Sequence, residues 1–357
     1  MMASLFIVSK DIPQWLAAMA KTRKVFATQR ESGAIIFKPY DPGREVVFER
    51  ESVTSCKEAV FPQTKVLFSY FVKKNPETGE TAGVAIEESL NKPAPQAVVF
   101  GTRPCGTKGF LTFDRVFDCD RIRDPYYTSL RERTAFITLA CDRPGATCFC
   151  HWVGGAPDDP KGSDALLTPV EGGFLVEAVT EKGEELVNEA RSLFAEADEK
   201  RREEGAAVRD KAKGMLTPKP DLTDIGPALE KRFRDLDFWE DMTAACVSCN
   251  MCTYLCPTCY CFNITDESDG QAGVRLRTWD ACMSQQYSLE ASGHNPRPTR
   301  AHRMRNRVNH KFWYHPKEYG GVISCCGCGR CVKHCPGSVD IRRILLTALE
   351  RKDEDAE

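Results

Sequence analysis

Twice in the last third of this 357-residue chain, four cysteines stand at spacings of two, two and three residues and are closed by a proline. The first run is Cys246, Cys249, Cys252 and Cys256 with Pro257; the second is Cys325, Cys328, Cys331 and Cys335 with Pro336. Three thiolates two residues apart lie on tight turns that aim successive sulfurs at three corners of one cubane. The fourth, after a three-residue spacer, points away and ligates the other cluster where two such runs share a chain. The spacing therefore predicts one 4Fe-4S cluster on Cys246, Cys249, Cys252 and Cys335, and a second on Cys325, Cys328, Cys331 and Cys256. Pro257 and Pro336 would end each loop. Gly327 and Gly329 would let the backbone approach closely and turn its N–H groups toward sulfur. Zinc sites use paired C-x2-C units, so a run of four, repeated, makes two zinc sites the weaker reading.

The chain has 18 cysteines, twelve of them between 246 and 335 and none between 151 and 245. No apolar run approaches the ~20 residues that span a bilayer, and the N-terminus lacks the basic region of a signal peptide. The expected location is the cytoplasm, where thiols stay reduced and cysteines in this number read as metal ligands rather than disulfides. A net charge of −2 and a pI near 6.4 argue against a general nucleic-acid binder.

A second constellation lies near the N-terminus: Cys105, Cys141, Cys148 and Cys150. Cys105 and Cys141 follow the apolar β-like runs 97–100 and 135–140, and a C-x-C pair needs two further sulfurs to complete a four-coordinate site. If the two runs are neighbours in a parallel sheet, both cysteines emerge at its carboxyl edge, where α/β sheets place their sites. The expectation is a third metal site, a 4Fe-4S cluster or zinc; the alternative is a set of buried thiols.

Length suggests two or three domains at ~100–200 residues each. Residues 1–182 mix β-like runs (5–8, 33–39, 66–72, 97–100, 134–141) with a helix over 11–20, and read as an α+β or α/β domain. Residues 183–225 read as a charged helical connector, helical over 183–213 and facing solvent, followed by a Pro- and Asp-containing linker at 215–224. Residues 226–357 read as a mainly helical, two-cluster ferredoxin-like domain, with helices over 227–245 and 339–351 and a long insert: Cys256 and Cys325 are 69 positions apart. The insert is basic from Arg297 to Lys317. Charge compensation for anionic clusters is favoured there over a docking patch or an RNA-binding segment. Cys259, Cys261 and Cys282 read as spare ligands or buried thiols, Cys326 as pointing away from the ligand set, and His151 as structural. Neither a G-x-G-x-x-G nor a G-x-x-x-x-G-K-[ST] motif is present, so no flavin or nicotinamide is expected on this chain.

Further segments, FPQTKVLF at 61–68, FGTRPCGTKGF at 100–110, CFC at 148–150, CPTCYCF at 256–262 and TWDAC at 278–282, run through most of the chain. With the second cluster motif, they resemble the beta subunits of sulfhydrogenase-type nickel–iron hydrogenases and the A subunit of anaerobic sulfite reductase. Gly106 stands where the family pattern has Asp, and His151-Trp152 where it has small polar residues. The resemblance implies a non-catalytic electron-transfer subunit of a soluble oxidoreductase complex. Its partners would be a flavin-containing, diaphorase-like subunit that handles a nicotinamide cofactor and a catalytic subunit of hydrogenase, heterodisulfide-reductase or sulfite-reductase type. Two other readings stand beside it: a self-sufficient iron–sulfur reductase with a substrate site in the N-terminal domain, and a cluster-bearing regulatory protein that binds RNA through 297–317.

Overall fold

The computed structural model describes residues 4–49 and 51–354. Among them, eight strands form one mixed sheet. Its four central strands, Lys24–Glu31, Ala97–Thr102, Thr134–Leu139 and Ala165–Val170, run parallel to one another. Antiparallel strands complete both ends: Ala34–Pro39 on one side, and Gly173–Ala178, Leu5–Val8 and Phe194–Glu196 on the other. Every residue of Ala97–Thr102 and Thr134–Leu139 is buried, as expected of parallel strands covered on both faces.

The pleat sends alternate side chains into two cores. Val98, Phe100 and Ile137 pack with Trp15, Leu16 and Leu186 under the helices Ile12–Ala20 and Glu181–Asn188. Val99 and Phe136 pack on the opposite face with Phe110, Phe113 and Tyr127 of the helices Pro104–Phe117 and Pro125–Glu132. This is a sheet-rich α/β arrangement, and it sets strands Ala97–Thr102 and Thr134–Leu139 side by side and parallel.

The helix expected over 183–213 is interrupted. Helix Glu181–Asn188 ends, Phe194 pairs opposite Ile7 as part of an edge strand, and a new helix, Glu199–Gly214, begins where the Asp198 side chain accepts the Arg201 N–H. That helix lies on the sheet: Gly205 sits so close to Leu175 that an added Cβ would come within 2.4 Å of it. The reason is tertiary, because the edge strand Leu5–Val8 offers Phe194–Glu196 a free row of backbone groups. The helix expected over 227–245 is likewise two, Ile225–Lys231 and Leu236–Met242, the second capped by Asp235.

The C-terminal region is not helical throughout. Within the insert, Phe262–Ser268 and Ala272–Trp279 form a hairpin around Asp269-Gly270, with Gly270 at φ 89°. The hairpin joins the strands Thr64–Lys74 and Thr81–Glu88 in a second, antiparallel sheet. The region that follows the sheet domain is therefore fused to it. Phe113 makes the same point in the core: its ring lies 5.4 Å from Phe61, 5.9 Å from Tyr127 and 5.5 Å from Tyr260 of the insert. Phe113→Ala is expected to destabilise the protein by about 4 kcal/mol, read as a lowered denaturation midpoint in anaerobic equilibrium unfolding. No helix among the described residues is long and apolar enough to cross a membrane.

Candidate metal centres

Both cysteine runs use the same backbone path. Ser248 and Asn250 adopt φ of 54° and 64° in the first run, and Gly327 and Gly329 adopt 63° and 74° at the matching places in the second. Left-handed residues between the cysteines turn each loop tightly enough to face three sulfurs inward. The first run uses Ser and Asn there, both half-buried, and Arg303 Nη2 donates to Ser248 Oγ at 3.5 Å. The second run cannot use them: a Cβ on Gly327 would lie 2.5 Å from the Cys150 backbone nitrogen, and one on Gly329 would lie 2.4 Å from Thr147 O. The Gly327 N–H donates to Cys325 Sγ at 3.4 Å, as expected for a backbone that cradles sulfur, and the Val339 N–H donates to Cys335 Sγ at 3.3 Å.

The structure brings Cys246, Cys249, Cys252 and Cys335 to one cavity, walled by Met283, Met304, Ile344 and Arg307. Cys335 reaches it because Gly337 packs against the start of the first run, where an added Cβ would come within 2.0 Å of Ala245 O. Cys256 turns the other way. Its Sγ lies 3.2 Å from Thr258 Oγ1, and Thr258 Oγ1 donates to Ser324 O at 2.9 Å, one residue before Cys325. Cys256, Cys325, Cys328 and Cys331 are close enough for each to feel another's charge. Burial pushes the thiols of Cys325 up to about 11 and Cys331 up to about 12. In the metal-free chain these are neutral groups, and ligation must expel their protons.

Four buried cations, Lys57, Arg307, Lys311 and Arg330, lie among these sulfurs, Lys57 facing Cys259, Cys256 and Cys261. Arg307 donates from Nη2 to Cys252 O at 2.9 Å and faces Cys252, Cys331, Cys259 and Cys256. Lys311 faces Cys256, Cys259 and Cys325. Arg330 donates from Nε to Ser52 O at 3.0 Å and faces Cys328, Glu51 and Cys105. Positive groups buried this fully are stable only opposite negative charge. A cubane with four thiolates is anionic, so the donor set, the cavity and the cations fit two 4Fe-4S clusters. Arg303, Arg307 and Lys311 recur every four residues through the basic insert, and that spacing is the signal by which a buried basic face could have been found in the sequence. Arg330, held by Ser52 from 278 residues away, carried no such signal.

The four N-terminal cysteines also line one cavity, of about 440 Å3, with Glu49, Glu51, Arg143 and Lys333 around it. Cys105 follows strand Ala97–Thr102 and Cys141 follows strand Thr134–Leu139, at one edge of parallel neighbours. The loop bearing Cys148 and Cys150 returns to the same place, pinned by a 2.8 Å hydrogen bond from the Phe149 N–H to Gly327 O. Cys328 lines this cavity too, and Cys148 Sγ donates to its carbonyl at 3.9 Å. Among the described residues no three His, Cys, Asp or Glu side chains draw together as a single ion requires. That holds equally for the eight C-terminal cysteines.

The remaining cysteines stand beside these. Cys259 shares a hydrogen bond with Cys256, and Cys261 shares one with Cys282, whose N–H and thiol, with Tyr287, hold Cys261 down to about 6. Cys326, expected to point away, is buried against Cys328 and hydrogen bonded to it. His151 Nε2 lies 2.7 Å from Thr217 O and ties down the irregular segment after helix Glu199–Gly214, a structural role.

Residues 245–339 match the family described as a 4Fe-4S dicluster domain. The chain is 33% identical over 252 residues to sulfhydrogenase 2 subunit beta of Pyrococcus furiosus, an alignment covering 70% of this chain and 72% of that protein.

Proposed function

This chain belongs to the sulfhydrogenase beta-subunit family, and on that premise we propose that it is a wire. It is an iron–sulfur electron-transfer subunit of a hydrogenase-like complex, with the dicluster domain as its core. We infer that it relays electrons between a flavin subunit that handles a nicotinamide cofactor and a catalytic subunit, and that it works in the cytoplasm. The observation that carries this reading is the contiguity of the three cysteine groups. The N-terminal cavity shares Cys328 with the second set, and Cys331 of the second set lines the cavity of the first.

In this reading Cys246, Cys249, Cys252 and Cys335 hold the first cluster, and Cys325, Cys328, Cys331 and Cys256 the second. Cys105, Cys141, Cys148 and Cys150 hold a third, at the carboxyl edge of the sheet. Each 4Fe-4S cluster, when bound, supplies a one-electron carrier. The chain's own residues keep that path dry and charge-balanced. Met283, Met304 and Ile344 shield the first centre from water, Arg307 stands between the first and second, and Arg330 between the second and third. Helix Leu236–Met242, helix Arg300–Asn309 and the final helix from Ile341 form the helical scaffold of the two-cluster unit.

A second reading draws on one observation. The N-terminal cavity has charged walls in Glu49, Arg143 and Lys333, which suit a small polar substrate at a self-sufficient reductase. The two readings separate in one experiment. The anaerobically purified chain is expected to retain no flavin and to oxidise no NADH by itself. Stoichiometric flavin carried by the isolated chain would defeat the wire and favour the reductase.

A further inference from the structure

Lys311 is 2% exposed and lies in a π-helical turn, His310–Tyr314, that interrupts the helix beginning at Arg300. Such turns insert one residue and re-aim a side chain, and they concentrate at functional sites. Here the result is specific. Lys311 Nζ donates to Thr258 Oγ1 at 2.8 Å and to Ser324 O at 3.0 Å, while the Ser324 N–H donates back to Lys311 O at 2.9 Å. Thr258 is the residue whose hydroxyl touches Cys256 Sγ, and Ser324 immediately precedes Cys325. One ammonium thus clasps the fourth cysteine of the first run to the first cysteine of the second.

No carboxylate answers that charge: among the described residues the lysines in ion pairs are Lys38, Lys213 and Lys333. The negative groups facing Lys311 are the sulfurs of Cys256, Cys259 and Cys325. Its buried neighbour Lys57 also faces Cys259 and Cys256, but it donates to Thr253 O at 3.4 Å and Cys259 O at 3.1 Å, with its ammonium 4.1 Å from the Trp279 ring centre, so its hydrogen bonds stay within the first run's side of the site.

We propose that Lys311 is a positioning residue, a resident counter-ion that serves the second cluster and not the first, which holds Cys256 and Cys325 together and favours that cluster's reduced, more negative state. This deepens the wire and rests on Cys256, Cys325, Cys328 and Cys331 being one ligand set. A fixed positive charge stabilises the added electron, so removing it lowers the second cluster's potential and leaves the first, served by Arg307, near its own.

The test is a potentiometric titration of the whole anaerobic chain, followed by electron paramagnetic resonance, on Lys311→Gln and Lys311→Arg. Gln keeps donors for Thr258 and Ser324 without the charge; Arg keeps the charge. At the second centre's native midpoint, Gln is expected to lower its reduced-to-oxidised ratio about tenfold, ~59 mV for one electron. The first centre should move less than about threefold, and Arg should restore the second to within the same factor. Should Gln shed about four irons per chain while Arg retains them, the charge is what holds that centre, and the proposal stands. An unchanged ratio in Gln, equal shifts at both centres, or equal effects of Gln and Arg would overturn it. So would loss of iron from the Arg variant as well. Failure of the ligand set itself is read separately, from the Cys256→Ser protein.

Discussion

Replacing Cys256 with serine is expected to remove the second cluster and leave the first in place, although Cys256 belongs to the first run in sequence. Cys256 Sγ is turned toward Thr258 and, through it, to Ser324 beside Cys325. The cavity that receives Cys246, Cys249 and Cys252 receives Cys335 instead. Serine keeps the shape but replaces a soft thiolate with a poor iron ligand, and with three thiolates left the second cubane loses a corner. Iron content should fall by about four atoms per chain. The resonance that disappears should be the one that Lys311→Gln shifts. Loss of the first centre with the second intact would refute the crossed ligation.

The second large effect concerns the N-terminal cavity. The unaltered anaerobic chain is expected to carry about twelve irons, and Cys148→Ser combined with Cys150→Ser about eight, the cubane at the sheet edge being lost. Both cysteines are pushed upward by burial, Cys148 to about 12 and Cys150 to about 11, so neither is an exposed, adventitious thiol. The fold should survive. The loop is anchored by the Phe149 backbone and by Arg342 Nη1 donating to Ala146 O at 2.8 Å, neither of which is altered. About eight irons before and after substitution would make Cys105, Cys141, Cys148 and Cys150 ordinary core thiols. One zinc per chain lost on substitution would make the site mononuclear.

The elements that local sequence does not reveal share one physical cause. Strands Leu5–Val8 and Ala97–Thr102 were legible because their apolar runs are compact and bounded. The stretch around Phe194 was not, since a charged, helix-favouring segment gives no local sign that three residues will be taken up by the edge of a sheet begun at Leu5. The insert hairpin carries the Asp269-Gly270 signal, but strand Phe262–Ser268 is exposed along its length and so shows no buried face in its pattern. Local propensity reports what a segment prefers alone, and free edges elsewhere in the fold override it.

The sequence by itself carried eight cysteines at spacings that suit two cubanes, and no nucleotide-phosphate loop motif. Those follow from bond lengths and turns over a few residues, which sequence spacing encodes directly. Only the tertiary structure decided where the charges and the third cysteine group lie. Arg330 reaches Ser52, Gly327 lies against Cys150, and Lys311 joins Thr258 to Ser324, contacts between residues up to 278 positions apart. No pattern along the chain records such pairs, because they exist only once the sheet has set its strand order and the insert has folded back across it.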